Sequence, residues 1–270
     1  MFLAHANFLK ENQHVPVIQY NNEKVLTRTA AGYTLISNIC PHQKSLITTT
    51  LTEGNRVCPY HNWSFDVYGH PISSGRTKHY CENKNSLETT TVYNWNNLLF
   101  STNVDFDYKL DTENLSLVEQ RIDIVKATSE TIMDIFLDVD HIPTVHKGVY
   151  DSIGITDIDN IVWTYYNNGS IQTVPGNAVW ISIYPNTMIE LQQGSLFITV
   201  AVDIDSKLSK VHVFKYKDKN NDSNYTLNET VWETAWEQDK IQAELIVGKN
   251  TTNLEIQKQH FRNWRYGSIV

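Results

Sequence analysis

The sequence is poor in several features that would otherwise define its class. It has 3 cysteines in 270 residues, too few for the disulfide framework of a small secreted protein. Its first ten residues contain no basic stretch followed by a long apolar core, and no apolar run reaches the roughly 18 residues that cross a bilayer. The net charge of −8 disfavours nucleic acid and anionic membranes as partners. We therefore expect a cytoplasmic protein without a membrane span, whose thiols stay reduced.

The most informative stretch contains two Cys–His pairs. Cys40-Pro-His42 is followed after fifteen residues by Cys58-Pro-Tyr-His61. Thiolate and imidazole together suit zinc or an iron–sulfur cluster, but zinc sites usually pair ligands as Cys-x2–4-Cys or His-x3–5-His, and Cys-x-His does not fit. In a Rieske [2Fe–2S] centre, two Cys hold one iron and two His hold the other. The segments Asn38–His42 and Cys58–Trp63 resemble the two cluster-binding loops of Rieske domains. The third cysteine, Cys81, is expected to be a small, partly buried residue without a role.

The first part of the chain, from about Val15 to Phe106, is predicted to be rich in β-structure. Short runs of β-branched and aromatic residues alternate with turn residues such as Asn21-Asn22. Five strands are predicted in this way: Val15–Tyr20, Lys24–Arg28, Gly32–Ile39, Arg56–Pro59 and Trp63–Val67. A hairpin of Thr90–Trp95 and Leu98–Ser101, joined by Asn96-Asn97, is predicted to close this region. The polar, acidic stretch from Asn103 to about Glu113 is predicted to be a linker.

Beyond the linker, the pattern changes to a helix, a series of strands and a second helix. Ser129–Asp140 carries apolar residues at spacings of three and four, with Ser129 as the expected N-cap. The second helix is expected from Leu227 to about Val247. The strands between the two helices are predicted at Ile161–Tyr166, Ser170–Val174, Ala178–Tyr184, Thr187–Gln192, Ser195–Ile204 and Lys210–Tyr216. This half is expected to be a curled antiparallel sheet embraced by helices.

A second metal site is indicated near the end of the first of these helices. His141 and His146 have Pro143 between them, and they can converge on one ion if the proline breaks the helix. Two His and one carboxylate on one face form the usual site of non-heme Fe(II) oxygenases, which leaves the other face open for O2 and substrate. The second helix offers three carboxylates for the third position, and spacing does not choose among them: Glu237, Asp239 and Glu244.

Together these motifs resemble the catalytic α subunits of Rieske non-heme iron oxygenases. The pattern Asp-x-x-His-x4-His of that family falls on Asp138, His141 and His146, and Asp239 matches the family's aspartate ligand. Ile183–Glu190 and Glu255–Trp264, the latter with His260-Phe261, also resemble stretches of the family. The resemblance implies an α+β fold. It places an N-terminal all-β Rieske [2Fe–2S] domain at residues 1–106. A catalytic domain of helix-grip type (similar to START and Bet v1 domains), with an antiparallel sheet, follows at residues 107–270.

Three positions depart from the common pattern of that family. Gln43 follows the first cluster histidine where Arg is common, Asn62 precedes Trp63 where Gly is usual, and Ile135 stands where many members have Asn. Every expected ligand is nevertheless present.

The resemblance also implies the cofactors. Cys40 and Cys58 would hold the inner iron of a [2Fe–2S] Rieske cluster, and His42 and His61 would hold the outer iron. The other ligand set, His141, His146 and Asp239, would hold a mononuclear Fe(II), with O2 as co-substrate. Electrons would come from NAD(P)H through a flavin-containing reductase, with or without a ferredoxin between them.

The implied assembly is a homotrimer, because in this family the cluster of one subunit serves the iron of its neighbour. Such a head-to-tail contact closes into a ring. Asp138 would bridge the two metal sites by accepting hydrogen bonds from a cluster histidine across the interface and from His141. This role makes Asp138 the expected catalytic carboxylate.

Aromatic and apolar residues of the second half are candidates for the wall of a substrate pocket. A cluster of Trp and Tyr could hold an aromatic ring, or a quaternary ammonium group by cation–π attraction. The candidates are Trp163, Tyr165, Trp180, Ile181, Ile183, Met188 and Phe197.

The expected function is that of a terminal oxygenase component, which uses O2 and reductase-derived electrons to hydroxylate or oxidatively demethylate a small organic substrate. Monooxygenation or demethylation is preferred to dihydroxylation because the second half is short. Two rivals belong to other classes. One is a Rieske-type electron carrier without a second iron, and the other is a zinc-stabilised module that binds a small molecule. Iron and sulfide content would distinguish the three.

Overall fold

The chain is described by a computed structural model that covers residues 1–75, 86–156, 158–175, 178–221 and 223–246. Cys81 and the stretch Glu255–Trp264 lie outside these described residues. The fold separates into two compact units, Phe2–Asp105 and the chain from Phe106 onward together with Met1. Among the helices of the described ranges, none combines the length and the hydropathy that crossing a bilayer would require.

The first unit consists of short antiparallel strands. They form three small sheets, with the strand orders β1-β11-β10, β5-β2-β3-β4-β9 and β6-β7-β8. A buried apolar cluster in this unit contains Cys40 and Cys58 together with Trp63 and Phe65. The strands are β1 (Phe2–His5), β2 (Gln13–Pro16), β3 (Lys24–Thr29), β4 (Gly32–Ser37), β5 (Thr52–Glu53), β6 (Arg56–Val57), β7 (Ser64–Phe65), β8 (Pro71–Ser73), β9 (Thr89–Thr91), β10 (Tyr93–Trp95) and β11 (Leu98–Phe100).

The predicted hairpin turn at Asn96-Asn97 is confirmed, but the predicted strand Thr90–Trp95 is wrong as a single strand, because Thr89–Thr91 pairs with β4 and Tyr93–Trp95 alone forms the hairpin. β10 pairs with β11, and the two asparagines have φ values of 50° and 61°. Two-residue hairpin turns place both central residues in the left-handed region, which asparagine tolerates better than most residues. The predicted strand Val15–Tyr20 is wrong in its second half, because the strand ends at Pro16 and Ile18–Tyr20 form a 3-10 turn.

The second unit is built on a seven-stranded antiparallel sheet with the strand order β12-β18-β17-β16-β15-β14-β13. All six strands predicted for this half are present within two residues of their expected ends. The strands are β12 (Leu115–Val125), β13 (Val162–Tyr166), β14 (Gly169–Val174), β15 (Ala178–Ile183), β16 (Thr187–Gln192), β17 (Ser195–Asp205) and β18 (Leu208–Asp218). The edge strand β12 is an addition that the sequence pattern did not predict.

Within the described residues, three α-helices accompany this sheet: α1 (Ser129–Leu137), α2 (Ile142–Val145) and α3 (Tyr225–Ile246). Trp180, Glu190, Phe197 and Lys215 pair in succession across β15, β16, β17 and β18. Directly paired residues project from the same face of a sheet, so these four form one row. Helix α3 covers this row, since Trp232 stacks on Phe197 with ring centroids 5.3 Å apart.

The beginning of α1 differs from the expectation. Thr128, not Ser129, is the N-cap, because its backbone is extended and its hydroxyl accepts a hydrogen bond from the N–H of Thr131. Glu130 lies in the first turn, where a carboxylate is favoured by the helix dipole.

The end of α1 also differs, because Pro143 does not break this helix. The helix already ends at Asp138, a 3-10 turn follows at Val139–His141, and Pro143 lies in the first turn of α2. A proline fits there, since its missing N–H would have no helical partner.

The stretch predicted to be a linker contains neither helix nor strand from Asn103 to Asp111, but it is not a solvated tether. Phe106, Leu110 and Thr112 are buried, and the ring of Phe106 stacks on Tyr166 with centroids 4.4 Å apart. The acidic residues of this stretch made it resemble a linker in the sequence, although its apolar residues are buried.

Candidate active site

The two Cys–His loops of the first unit have nearly the same backbone design. In each, the N–H of the residue four positions after the cysteine donates to the cysteine carbonyl, from Lys44 to Cys40 at 2.9 Å and from Asn62 to Cys58 at 3.0 Å. Both closing residues have left-handed φ, 58° at Lys44 and 60° at Asn62. Asparagine adopts this conformation at little cost, which explains why Asn62 can stand where the family usually has glycine.

The side chains of the two loops form a donor set that fits a [2Fe–2S] cluster. Cys40 and Cys58 are both buried free thiols. They lie within hydrogen-bonding distance, and burial together with this neighbour raises the pKa of Cys40. The rings of His42 and His61 lie 4.6 Å apart, and the buried Nδ1 of His61 has no hydrogen-bond partner among the described residues. Two thiols on one side and two imidazoles on the other match the ligands of a Rieske centre.

The residues of the second metal site come from two separate parts of the second unit. The 3-10 turn after α1 carries His141, and the residue that ends α2 is His146. Helix α3 supplies Asp239, which is buried on its inner side. Two consecutive short helical turns thus bring two histidines, five positions apart, to one point beside α3.

The three side chains converge on a common point. His141 Nε2 and His146 Nε2 are 2.9 Å apart, and Asp239 Oδ1 lies 2.9 Å from His146 Nε2 and 3.3 Å from His141 Nε2. Three ligand atoms at about 2.1 Å from one ion, at right angles to each other, would lie roughly 3 Å apart. This triangle is therefore the geometry of a facial two-histidine, one-carboxylate metal site.

The protonation behaviour of these residues follows from their proximity. Burial alone would raise the pKa of Asp239, but hydrogen bonds from His141 and His146 outweigh it and lower the pKa. Burial alone would lower the pKa of His146, but the hydrogen bond and negative charge of Asp239 raise it. The carboxylate therefore stays ionised, as a metal ligand must be.

Gln238 fixes the orientation of one histidine and was not identified from the sequence. His146 Nδ1 donates to Gln238 Oε1 at 2.8 Å, which leaves Nε2 as the nitrogen that faces the site. Ligand histidines commonly use their second nitrogen in this way. A single glutamine on a helix has no sequence signature of its own, so the role of Gln238 could not be recognised from the sequence.

The other two carboxylates proposed for α3 lie elsewhere. The side chain of Glu237 is 61% exposed and pairs with Lys240, and Glu244 accepts a hydrogen bond from the backbone N–H of Lys126. Neither is part of the group of candidate ligands found among the described residues, which consists of His141, His146 and Asp239.

Asp138 lies on the wall of the cavity beside this triangle. The backbone N–H of His141 donates to the carbonyl of Asp138 at 3.5 Å, but Nδ1 of His141 is buried without a hydrogen-bond partner within the described ranges, so it makes no bond to the carboxylate of Asp138. Asp138 ends α1 and its backbone geometry is set by that position.

The cavity beside the triangle has a volume of about 30 Å³, room for one or two water molecules. Of the predicted pocket residues, Trp180 and Met188 line it. Ile181 and Ile183 alternate with Trp180 on β15 and project from the opposite face. Phe197 lies in the adjacent core under Trp232, Tyr165 is exposed, and Trp163 is not among the lining residues. Tyr150, Glu190 and Trp236 line the cavity without having been proposed.

This chain is similar to known proteins in both sequence and structure. Residues 1–88 match the family model of the Rieske [2Fe–2S] domain. A search of curated proteins finds similarity to putrescine 2-hydroxylase of Ralstonia nicotianae, 24% identical over 217 residues, which represent 65% of this chain and 58% of that protein. The match thus spans less than two thirds of the relative's length.

Solved structures extend the likeness to almost the whole chain. The quaternary ammonium Rieske monooxygenase CntA, in complex with L-carnitine, superposes with a TM-score of 0.72 over 94% of this chain and 79% of its own, at 17% identity. Naphthalene 1,2-dioxygenase from Rhodococcus sp. superposes with a TM-score of 0.68 over 92% of this chain and 76% of its own, at 14% identity. Identities this low establish the fold. Residues 1–88 thus carry a Rieske [2Fe–2S] domain, and over almost its whole length the chain has the fold of Rieske oxygenase structures.

Proposed function

We propose that this protein is the terminal component of an oxygenase system. It would use O2 and electrons from an NAD(P)H-dependent reductase to hydroxylate or oxidatively demethylate a small organic substrate. The observation that carries this proposal is the triangle of His141 Nε2, His146 Nε2 and Asp239 Oδ1 beside a cavity, in a chain that also has a Rieske domain. An electron carrier would have no use for a second metal site.

In this assignment, residues 1–106 form the Rieske domain and residues 107–270 the catalytic domain. Cys40 and Cys58 hold one iron of the cluster, and His42 and His61 hold the other. When bound, the cluster supplies single electrons, and the mononuclear iron supplies an open coordination face. Insertion of one oxygen atom of O2 into a C–H bond, with reduction of the other to water, consumes two electrons and two protons, so the protein needs an external reductant.

The chain's own residues have distinct tasks. Gln238 holds His146 with Nε2 towards the metal, and Asp239 compensates the positive charge of the ion. Aromatic side chains, Trp180 and Trp236 among them, form part of the cavity wall. Asp138 is the proposed link for electrons that arrive from the cluster of a neighbouring subunit in a homotrimer, fed by a flavin-containing reductase with or without a ferredoxin.

The substrate class is suggested by the relatives and by the size of the cavity. One relative is named for hydroxylation of putrescine, an aliphatic diamine, and another binds L-carnitine, an aliphatic quaternary ammonium compound, whereas a third is named for naphthalene. The cavity beside the triangle, at about 30 Å³, is smaller than either kind of substrate, and a slender aliphatic chain needs less widening of it than a bicyclic ring. We therefore prefer monooxygenation of an aliphatic amine to dihydroxylation of an aromatic ring.

Metal and sulfide analysis of anaerobically purified protein, with EPR of the reduced form, tests this assignment. About three irons and two sulfides per chain are expected, the sum of a [2Fe–2S] cluster and one mononuclear iron. Two irons would indicate an electron carrier, and zinc without sulfide would refute the assignment as a whole.

The ligand assignment has its own test. Asp239→Ala is expected to lose the mononuclear iron and keep the cluster, because it removes one of three ligands. Glu237→Ala is the matched control, since Glu237 lies two residues earlier on α3 and its side chain is 61% exposed. Retention of the third iron in Asp239→Ala, or its loss in Glu237→Ala, would contradict the assignment.

A further inference from the structure

Glu190 occupies an unusual position for a carboxylate. It lies in the middle of β16, in the row that α3 covers, and it is only 6% exposed. Its hydrogen bond within the described residues comes from Trp232, whose Nε1–H donates to Glu190 Oε1 at 2.8 Å. The same side chain lines the cavity beside the histidine–aspartate triangle.

The carboxylate forms no salt bridge with a lysine or arginine in the described part of the chain, and the cationic group that attracts it is the imidazole of His146. Lys215, in the same row, pairs instead with Glu119, Glu229 and Glu233. Burial, and then the negative charge of Asp239, raise the pKa of Glu190 to about 7, although the Trp232 hydrogen bond acts in the opposite direction. Burying an ionised carboxylate without a counter-ion costs free energy. Buried carboxylates are therefore usually paired with a cation, or an uncharged side chain takes their place.

The surroundings of Glu190 would favour a cation. Trp180 is its direct neighbour on β15, and Tyr150 and Trp232 line the same cavity. Aromatic faces attract cations, most strongly where water is excluded.

We propose that Glu190, with its aromatic neighbours Trp180, Tyr150 and Trp232, is the binding site for the ammonium group of a primary alkylamine substrate. This inference rests on the proposed oxygenase function and specifies its substrate class. Glu190 supplies the compensating charge and hydrogen-bond acceptors, and the aromatic side chains supply the walls. The ammonium group takes the volume of about one water, and the alkyl chain requires the cavity, which the three metal-ligand candidates also line, to widen.

A primary ammonium fits this site better than a quaternary one. An –NH3⁺ group is compact and has three N–H donors, which a carboxylate can accept. A trimethylammonium group has no donor and is far bulkier than the one or two waters that the cavity of about 30 Å³ accommodates. The carboxylate of Glu190 and the small volume of the cavity therefore both favour a primary ammonium group.

The test is calorimetric titration of the anaerobic, iron-loaded protein with n-butylammonium, butyltrimethylammonium and 1-butanol. The wild type is expected to bind n-butylammonium more tightly than both other probes. Glu190→Gln should weaken n-butylammonium binding about 10- to 150-fold, the factor that corresponds to a lost charged hydrogen bond, and leave 1-butanol binding unchanged. Glu130→Gln, the same change at an exposed position in α1, should leave all three affinities unchanged.

A purely structural role for Glu190 would give a different pattern. Glutamine retains an oxygen that can accept the hydrogen bond from Trp232, so the thermal midpoint of Glu190→Gln should equal or exceed that of the wild type. A lower midpoint together with equal weakening of all three probes would overturn the proposal. Equal or tighter binding of butyltrimethylammonium than of n-butylammonium by the wild type would also overturn it.

Failure of this proposal and failure of the proposed function can be told apart. A protein with about three irons per chain that shows no preference for n-butylammonium retains its oxygenase assignment and loses the amine site. A protein without the mononuclear iron loses the oxygenase assignment, whatever it binds.

Discussion

Replacement of Gln238 by leucine tests whether the contact behind His146 controls the metal site. The buried hydrogen bond from His146 Nδ1 to Gln238 Oε1 is 2.8 Å long, and His146 is only 2% exposed. Removing the acceptor leaves a buried N–H without a partner, which costs about 1–3 kcal/mol. Loss of a hydrogen-bond partner of a metal ligand usually lowers metal affinity by about 10- to 100-fold, which agrees with this free energy. We therefore expect Fe(II) affinity to fall about 10- to 100-fold in Gln238→Leu.

The assay is competition for Fe(II) with a coloured chelator under anaerobic conditions, with the cluster absorbance as internal reference. Leucine and glutamine both favour helices, so α3 should be retained. Gln242→Leu, one turn later in α3, is the matched control and should retain its iron. Gln238→Glu should bind Fe(II) at least as well as the wild type, because a carboxylate strengthens the hydrogen bond. Equal iron affinity in Gln238→Leu and wild type would refute the reasoning.

Two further substitutions address electron delivery and stability. Asp138→Asn should retain both metal sites and nearly abolish turnover, as measured by product formation with excess reductase; turnover at the wild-type rate would exclude Asp138 from electron transfer. Lys215→Met should lower the free energy of unfolding, measured by urea denaturation, by about 2–4 kcal/mol. The substitution leaves three glutamates without the buried ammonium group that they surround, and their partial exposure keeps the effect from being larger. The exposed Lys126→Met is its control, and equal stability of the two variants would show that the ion pairs of Lys215 contribute nothing.

The sequence predicted the features that have a local pattern. Ligand spacing was sufficient to identify the cluster loops, and alternation of apolar residues located six strands of the second unit. The hairpin at Asn96-Asn97 followed from turn chemistry alone. Each of these depends on residues that are close in sequence, which is why they were accessible without coordinates.

Strand β12 was missed because its inner face is charged. Glu119, Arg121 and Asp123 alternate along it and contact α3 or its neighbours: Arg121 donates to Glu233 at 2.9 Å, and Trp236 donates to Asp123 at 2.7 Å. The apolar residues Ile122 and Ile124 are exposed instead, so the alternation along this strand is the reverse of that in a strand with an apolar inner face. The residues of α3 that hold this strand in place, Glu233 and Trp236, lie more than a hundred residues away in the sequence.

Of the second metal site, the sequence predicted the composition but not the arrangement. Spacing left three carboxylates of α3 open, and only the orientation of that helix separates the buried Asp239 from the exposed Glu237. Gln238 and Glu190 were not assigned any role, since the first acts through a histidine and the second is defined by its burial without a lysine or arginine partner among the described residues. Both properties exist only in three dimensions.

The positions of the ligands along the chain impose an order on metal acquisition during synthesis. Cys40 to His61 occupy 22 consecutive residues, whereas Asp239 follows His61 by 178 residues. At about 5–20 residues per second, a ribosome needs roughly 10–35 s to cover that distance. Throughout this interval a nascent chain has all four proposed cluster ligands but lacks Asp239, and for part of it His141 and His146 are present without the carboxylate proposed to complete their metal site. Cluster insertion can therefore begin before translation ends, while selective capture of Fe(II) must wait for α3.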